Sequence, residues 1–245
     1  MRTFLRACIA KIAALALLAA TPVFAAGTLA DFNAAIERAS VHYRVALGYL
    51  RTGNTDLAAL EIERMRETWG EVSRTFGAPP PGMTKDIQLY RNTMLDVTTR
   101  LVTASMMVDT GRPQVAADAL RAIRDELSEL RKANGVVVLA DCVRDANAAM
   151  DAFYVYNDRS LDWSRPGVAK DIEAKANAYG SIMRRCDGLA DPATRANPEF
   201  RRLIDGAAAS LTFIPKAIEA RDSGLLHRVL IELRSFDNLL AFRYG

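Results

Sequence analysis

The chain has 245 residues, of which 32 are basic and 29 acidic, and half of all residues are hydrophobic. The whole excess of positive charge lies at the start, in Arg2, Arg6 and Lys11, and without them 29 residues of each sign remain. A formally neutral remainder argues against nucleic acid or an anionic membrane surface as partner.

Residues 1–26 read as a secretory signal peptide. Basic Arg2, Arg6 and Lys11 precede the apolar run Ile12–Ala20, Thr21-Pro22 breaks it, and Val23-Phe24-Ala25 offers small residues for cleavage near Ala25 or Ala26. The run is too short to span a bilayer, and no later run approaches the roughly 20 apolar residues a spanning helix needs. The expected product is soluble and periplasmic. It retains two cysteines, Cys142 and Cys186, and an even pair in an oxidising compartment predicts a disulfide.

From there the apolar period is helical almost everywhere. The first helix is expected over 31–52, with Asp31 as N-cap and Ile36, Ala39, Tyr43, Ala46 or Leu47, and Leu50 on one face; Gly53-Asn54 ends it. The second, 55–76, carries Ala58, Ile62, Met65, Trp69, Val72 and Phe76, alternating steps of four and three as a bundle seam does. Pro79-Pro80-Pro81-Gly82 is a non-helical connection. Thr84 is expected to cap a third helix bearing Ile87, Tyr90, Met94, Val97, Leu101, Ala104 and Val108. After Thr110-Gly111, Pro113 opens a fourth with Ala116, Leu120, Ile123, Leu127 and Leu130, closed by Asn134-Gly135. Val136–Leu139 reads as a buried connector.

A similar plan follows. A helix from Asp141 to about Tyr156 places Cys142, Ala149, Phe153 and Tyr156 on its seam, and a loop over 157–167 holds Trp163 and Pro166. The next helix uses Val168, Ile172, Tyr179, Ile182 and Cys186, and 187–198 is a loop. Asn197-Pro198-Glu199 starts a helix with Phe200, Leu203, Ala207, Ser210, Ile214 and Ala217, which Pro215 should kink. The last, about 225–243, uses Val229, Leu233, Phe236 and Leu240.

The two halves repeat. Glu61–Gly77 returns about 110 residues later as Asp171–Asp187, matching Ile62 to Ile172, Trp69 to Tyr179 and Gly70 to Gly180. Asp109-Thr110-Gly111 returns as Asp222-Ser223-Gly224. The expected fold is all-α: two tandem antiparallel four-helix bundles from an internal duplication, with repeats over 27–135 and 141–245 and a connector at 136–140. The glycines beside Trp69 and Tyr179 are expected to admit a neighbouring helix. An α-solenoid is the alternative, since Leu47–Leu60 looks like a tetratricopeptide hairpin. Its turns at Gly53 and Gly111 are, however, about 58 residues apart, against roughly 34 in that family.

Export, half length and helix pattern together resemble the four-helix bundles of the cytochrome c-prime kind and their b-type relatives. The resemblance implies haem, but the attachment motif Cys-x-x-Cys-His is absent: Val143-Arg144-Asp145 follows Cys142, and Asp187-Gly188-Leu189 follows Cys186. A non-covalent haem would need axial ligands, for which His227 and Met150 on adjacent helices are the candidates. No metal-binding or nucleophile motif is present. The chain therefore reads as a non-enzymatic binding or scaffold protein for a small-molecule or protein ligand, with a haem-binding electron carrier or a helical-repeat assembly factor as alternatives. Two positions break the pattern: Lys175 stands at the seam position of Met65, and Trp163 lies in the long loop as a possible contact residue. Cys142 and Cys186 should meet at the open end of their hairpin, where the alignment sets them against Ile36 and Phe76.

Overall fold

The structure is a computed structural model that describes residues 27–245; the leader and its cleavage site lie outside the described residues. Capping side chains set half of the helix starts among the described residues. Thr28 Oγ1 accepts from the Asp31 amide at 3.1 Å while Asp31 accepts from the Thr28 amide at 3.0 Å, so Thr28 is the cap of α1 (Leu29–Arg51) and Asp31 its third residue. After Gly53, whose φ of +77° suits a residue without Cβ, comes α2 (Thr55–Thr75). Asp86, not Thr84, caps α3 (Ile87–Asp109). Gly111 turns the chain into α4 (Pro113–Ala133), with Pro113 at the first position.

The second series begins with α5 (Leu139–Tyr154), whose Asp141 accepts from the Val138 amide. Next come α6 (Val168–Leu189), the single turn α7 (Pro192–Ala196) inside the expected loop, and α8 (Pro198–Leu211), capped by Asn197. Pro215 does more than kink: the helix stops at Leu211 and resumes as α9 (Ile214–Glu219). The last is α10 (Ser223–Tyr244), capped by Asp222. The described residues are all-helical, with no strand, and contain no helix long and apolar enough to cross a membrane.

Each of α1–α3 packs on its successor, and α1 returns against α4; one buried cluster lies among them. A second cluster lies among α5, α6, α8, α9 and α10. The whole predicted stripe of α2, from Ala58 to Phe76, is buried, and the Trp69 indole donates to Thr98 Oγ1 at 3.0 Å. Several positions differ. Ile87 is exposed because it is the first residue of its helix and faces outward. The connector is not buried, as Val137 is 58% exposed. In the second series most expected seam residues are buried, among them Cys142, Phe153, Val168, Ile172, Tyr179, Cys186, Val229, Leu233 and Leu240, but a few give way to a neighbour. Val143, Ala146 and Met150 replace Ala149, Met183 replaces Ile182, and Asp237 lies beside a half-buried Phe236. A Cβ on Gly180 would meet Leu211 at 3.1 Å, but one on Gly70 would meet only Arg74, so a close helix approach occurs at Gly180 alone.

Geometry relates the two series at one spacing. Leu29 to Leu139 is 110 positions, and the same step takes Asp31 to Asp141, Pro113 to Ser223 and Gly111 to Arg221, which has positive φ as Gly111 does. It also carries Ala116, Leu120, Ile123, Leu127 and Leu130 of α4 onto Leu226, Leu230, Leu233, Asp237 and Leu240 of α10, all ten buried. The match of Asp109-Thr110-Gly111 to Asp222-Ser223-Gly224 is therefore three residues out of register. Cys142 and Cys186 lie at disulfide distance, with Cα atoms 5.4 Å apart, and join α5 to α6. At the same step Cys142 falls on Phe32 rather than Ile36, and Cys186 on Phe76. Those two rings meet edge to face at 5.2 Å. The cysteine pair thus stands where the first series has an aromatic contact.

Trp69→Ala should cost about 3–5 kcal/mol in denaturant unfolding; a cost below about 1 kcal/mol would place Trp69 outside the core. Protein isolated from an oxidising compartment should present no alkylatable thiol from Cys142 or Cys186 until reduced, as mass spectrometry of the denatured chain would read. Closing a loop of this length is worth about 4 kcal/mol in the chain-entropy model.

Candidate functional site

Buried charge gathers where α1, α4, α5 and α10 meet. Arg131 donates to both oxygens of Asp141, at 2.8 and 2.6 Å, with both residues buried. Arg44, only 6% exposed, donates to the Gly245 carbonyl at 2.9 Å and to Glu37 at 2.6 Å. Between these ties runs a polar relay. Arg124 donates to Asn147 Oδ1 at 3.2 Å, and Asn147 donates to Asp237 Oδ2 at 3.0 Å. Arg234 lies 3.6 Å from that oxygen, donates to Asp151 at 2.7 Å, and stands over the Tyr154 ring.

Asp237 is 1% exposed, and its Oδ1 has no hydrogen-bond partner. Burial pushes its pKa up to about 6; Asn147, Arg234 and Arg124 oppose the rise and Asp151 adds to it. The Tyr179 hydroxyl is likewise enclosed without a partner, and burial, then the Asp237 charge, push its pKa up.

Two cavities flank the seam between α1 and α4, with Tyr43 and Arg124 lining both. The first, of about 480 Å³, lies beside α10 among Arg44, Leu47, Arg51, Arg121 and Phe242. The second, of about 510 Å³, reaches Met65 and Leu127 and is bounded by Asn33 and Ser40. Both fall within the roughly 300–1,000 Å³ of small-molecule sites. α1 and α4 pack less closely than α5 and α10, which lie 110 residues further on. The residues give the reason. Asn33 and Ser40 stand where the second series has Val143 and Met150, both completely buried.

The side chains singled out in the sequence do not converge on these cavities. Lys175 is off the core: Ala176 fills its place, and the ammonium lies 3.8 Å from Asp171 at the surface. The half-buried Trp163 indole folds back on the second cluster and donates to Ser223 Oγ at 2.8 Å. Met150 is wholly enclosed in the second cluster. His227 is half-buried, with Nδ1 enclosed and unpartnered. Neither lines any of the four cavities described, so this pair does not fit a non-covalent haem. His42 Nδ1 lies 2.7 Å from Glu61 Oε2, and Glu61 also accepts from Arg64. No group of three or more His, Cys, Asp or Glu side chains able to hold a metal occurs among the described residues.

Sequence periodicity missed Asp237, Glu61 and the α1–α4 seam. A signal for two of these was present. The step of 110 residues sets Asp237 against Leu127, and it sets Asn33 and Ser40 against Val143 and Met150. No family model matches the chain, and searches of curated proteins and of solved structures find no match either.

Asp237 generates a pH prediction. Its folded pKa lies above the ordinary carboxyl value of 3.8, so its contribution to stability is complete below about pH 4 and is lost as pH rises through 6. The loss is about 3 kcal/mol for a shift of this size. Asp237→Asn should therefore gain on the native chain in urea unfolding as pH rises from 4 to 7, with no further gain above. Parallel stability curves would contradict this.

Proposed function

We propose that the protein is an exported, non-enzymatic binding protein in which a four-helix unit has been duplicated. The second unit keeps its closing seam filled and the first has parted to hold a small molecule. One observation carries the reading: α5 presents Val143 and Met150 to its own cluster where α1 presents Asn33 and Ser40 to a cavity. A helix pair with an apolar lining and a few polar groups is a common place for a ligand in a bundle. Mutual pairing of Cys142 and Cys186 leaves neither available as a nucleophile, in keeping with binding rather than turnover. Coincidence at one step of two helix starts, Leu29 with Leu139 and Pro113 with Ser223, and of the buried stripes of α4 and α10 supports the duplication. The apolar run and small residues at the start support export to the periplasm.

Refilling the seam tests the reading. Ser40→Met introduces the residue that the second unit has at this position. The neutral fluorophore N-phenyl-1-naphthylamine should bind the native protein with enhanced emission, and Ser40→Met should lose most of that enhancement without loss of helicity. Equal emission from both proteins would exclude the seam as the binding place.

A further inference from the structure

The reading of the α1–α4 seam as a ligand cleft leaves open the charge of what enters it, and the arginines decide that. Arg44, Arg51, Arg121 and Arg124 line the cavity beside α10, and no carboxylate among the described residues lines it. The four are not equivalent. Arg44 is held by Glu37 and the Gly245 carbonyl, and Arg121 by Asp118 at 2.5 Å. Arg51, exposed in the last turn of α1, complements only the carbonyl end of that helix. Arg124 bonds to the neutral Asn147, its Nε is enclosed with no partner, and no carboxylate among the described residues pairs with it directly, although its charge reaches Asp237 beyond Asn147.

This charge belongs to the first unit. At the step of 110 residues, Arg44, Arg51 and Arg121 correspond to Tyr154, Leu161 and Ile231. Arg124 corresponds to another arginine, Arg234, but that one is ion-paired with Asp151. The other walls are apolar, supplied by Leu47, Leu50 and Phe242. A partly enclosed guanidinium without a counter-ion is costly, and its planar fork matches an incoming carboxylate.

We infer that this compartment binds a free, single-chain organic acid. The carboxylate meets Arg51 and Arg124, and the apolar chain lies along Leu47, Leu50 and Phe242. Calorimetric titration of the full chain at low ionic strength with decanoate and with decyltrimethylammonium tests the sign of the charge. Decanoate should bind about tenfold or more tightly than the cation, and less so as salt is added. Arg51→Glu should weaken decanoate by about tenfold or more, Arg51→Lys far less, because one keeps the charge and the other reverses it. Both variants should retain native N-phenyl-1-naphthylamine emission. Equal affinity for anion and cation, or an unchanged affinity in Arg51→Glu, would overturn the inference while leaving the cleft intact. Failure of both decanoate and the neutral dye would remove the cleft as well. Sedimentation with phosphatidylglycerol vesicles in the absence of decanoate binding would make the arginines a membrane contact and overturn it too.

Discussion

The buried ion pair of Arg131 and Asp141 is the constraint on which the relation of the two helix series rests. It joins the last turn of α4 to the first turn of α5 across the short connector, with both charges largely out of water. Each group would be costly there alone, and each is tolerable because the other meets it through two parallel hydrogen bonds. Removing either partner leaves an unpaired charge, a loss of roughly 3–5 kcal/mol. The pair therefore acts less as an adhesive than as a register pin. It fixes α4 against α5, and α1 and α10 are tied in separately where Arg44 reaches Gly245 and where Arg124 and Asp237 both meet Asn147. The cavities flanking Tyr43 lie beside that junction.

Much of the helix layout was legible from period alone. The α2 stripe and that of α8–α9, from Phe200 to Ala217, were read residue for residue, because strong apolar residues recur there at steps of three and four. On α5, α6 and α10 most of the stripe was read, but Ala149, Ile182 and Phe236 were chosen where Met150, Met183 and Asp237 are the buried neighbours. Neighbouring apolar side chains such as Ile182 and Met183, or Ala149 and Met150, make period alone a poor judge of rotation. Only packing against a partner helix decides which of two adjacent residues faces inward. Helix starts followed similar physics: Asp86 outcompeted Thr84 because the chain still bends at Lys85, between Thr84 and the helix, and Asp31 serves its cap from inside the helix.

Polar residues in the interior were harder still. Asp237, Glu61 and Arg44 look like ordinary surface residues in a periodic pattern, since burial of a charge depends on partners far along the chain. Glu61 is made tolerable by His42, 19 residues earlier, and Arg44 by Gly245, 201 residues later. Internal comparison is more informative than pattern here. Setting each residue against the one 110 positions away shows where an apolar side chain has been exchanged for a polar or smaller one. Those exchanges include Asn33 and Ser40 on the α1–α4 seam, Asp237 opposite Leu127, and Thr93 of α3 opposite Leu203.

The contrast between the cysteine pair and the Phe32–Phe76 contact also bears on motion. In the second series Cys142 and Cys186 stand at disulfide distance where α5 meets α6, so that a covalent bond would fasten the two helices at one end. In the first, α1 leans on α2 at the matching place through the edge of one ring against the face of another. An aromatic contact of this kind can open and reclose on its own, whereas a disulfide holds until it is reduced. Sub-global opening is therefore assigned to α1, whose amides should exchange with solvent through local excursions. Those of α5 wait for larger ones. Loosening at the Phe32 end of α1 therefore bears on the cavity bounded by Asn33 and Ser40, not on the arginine-lined compartment, which meets α1 between Tyr43 and Arg51.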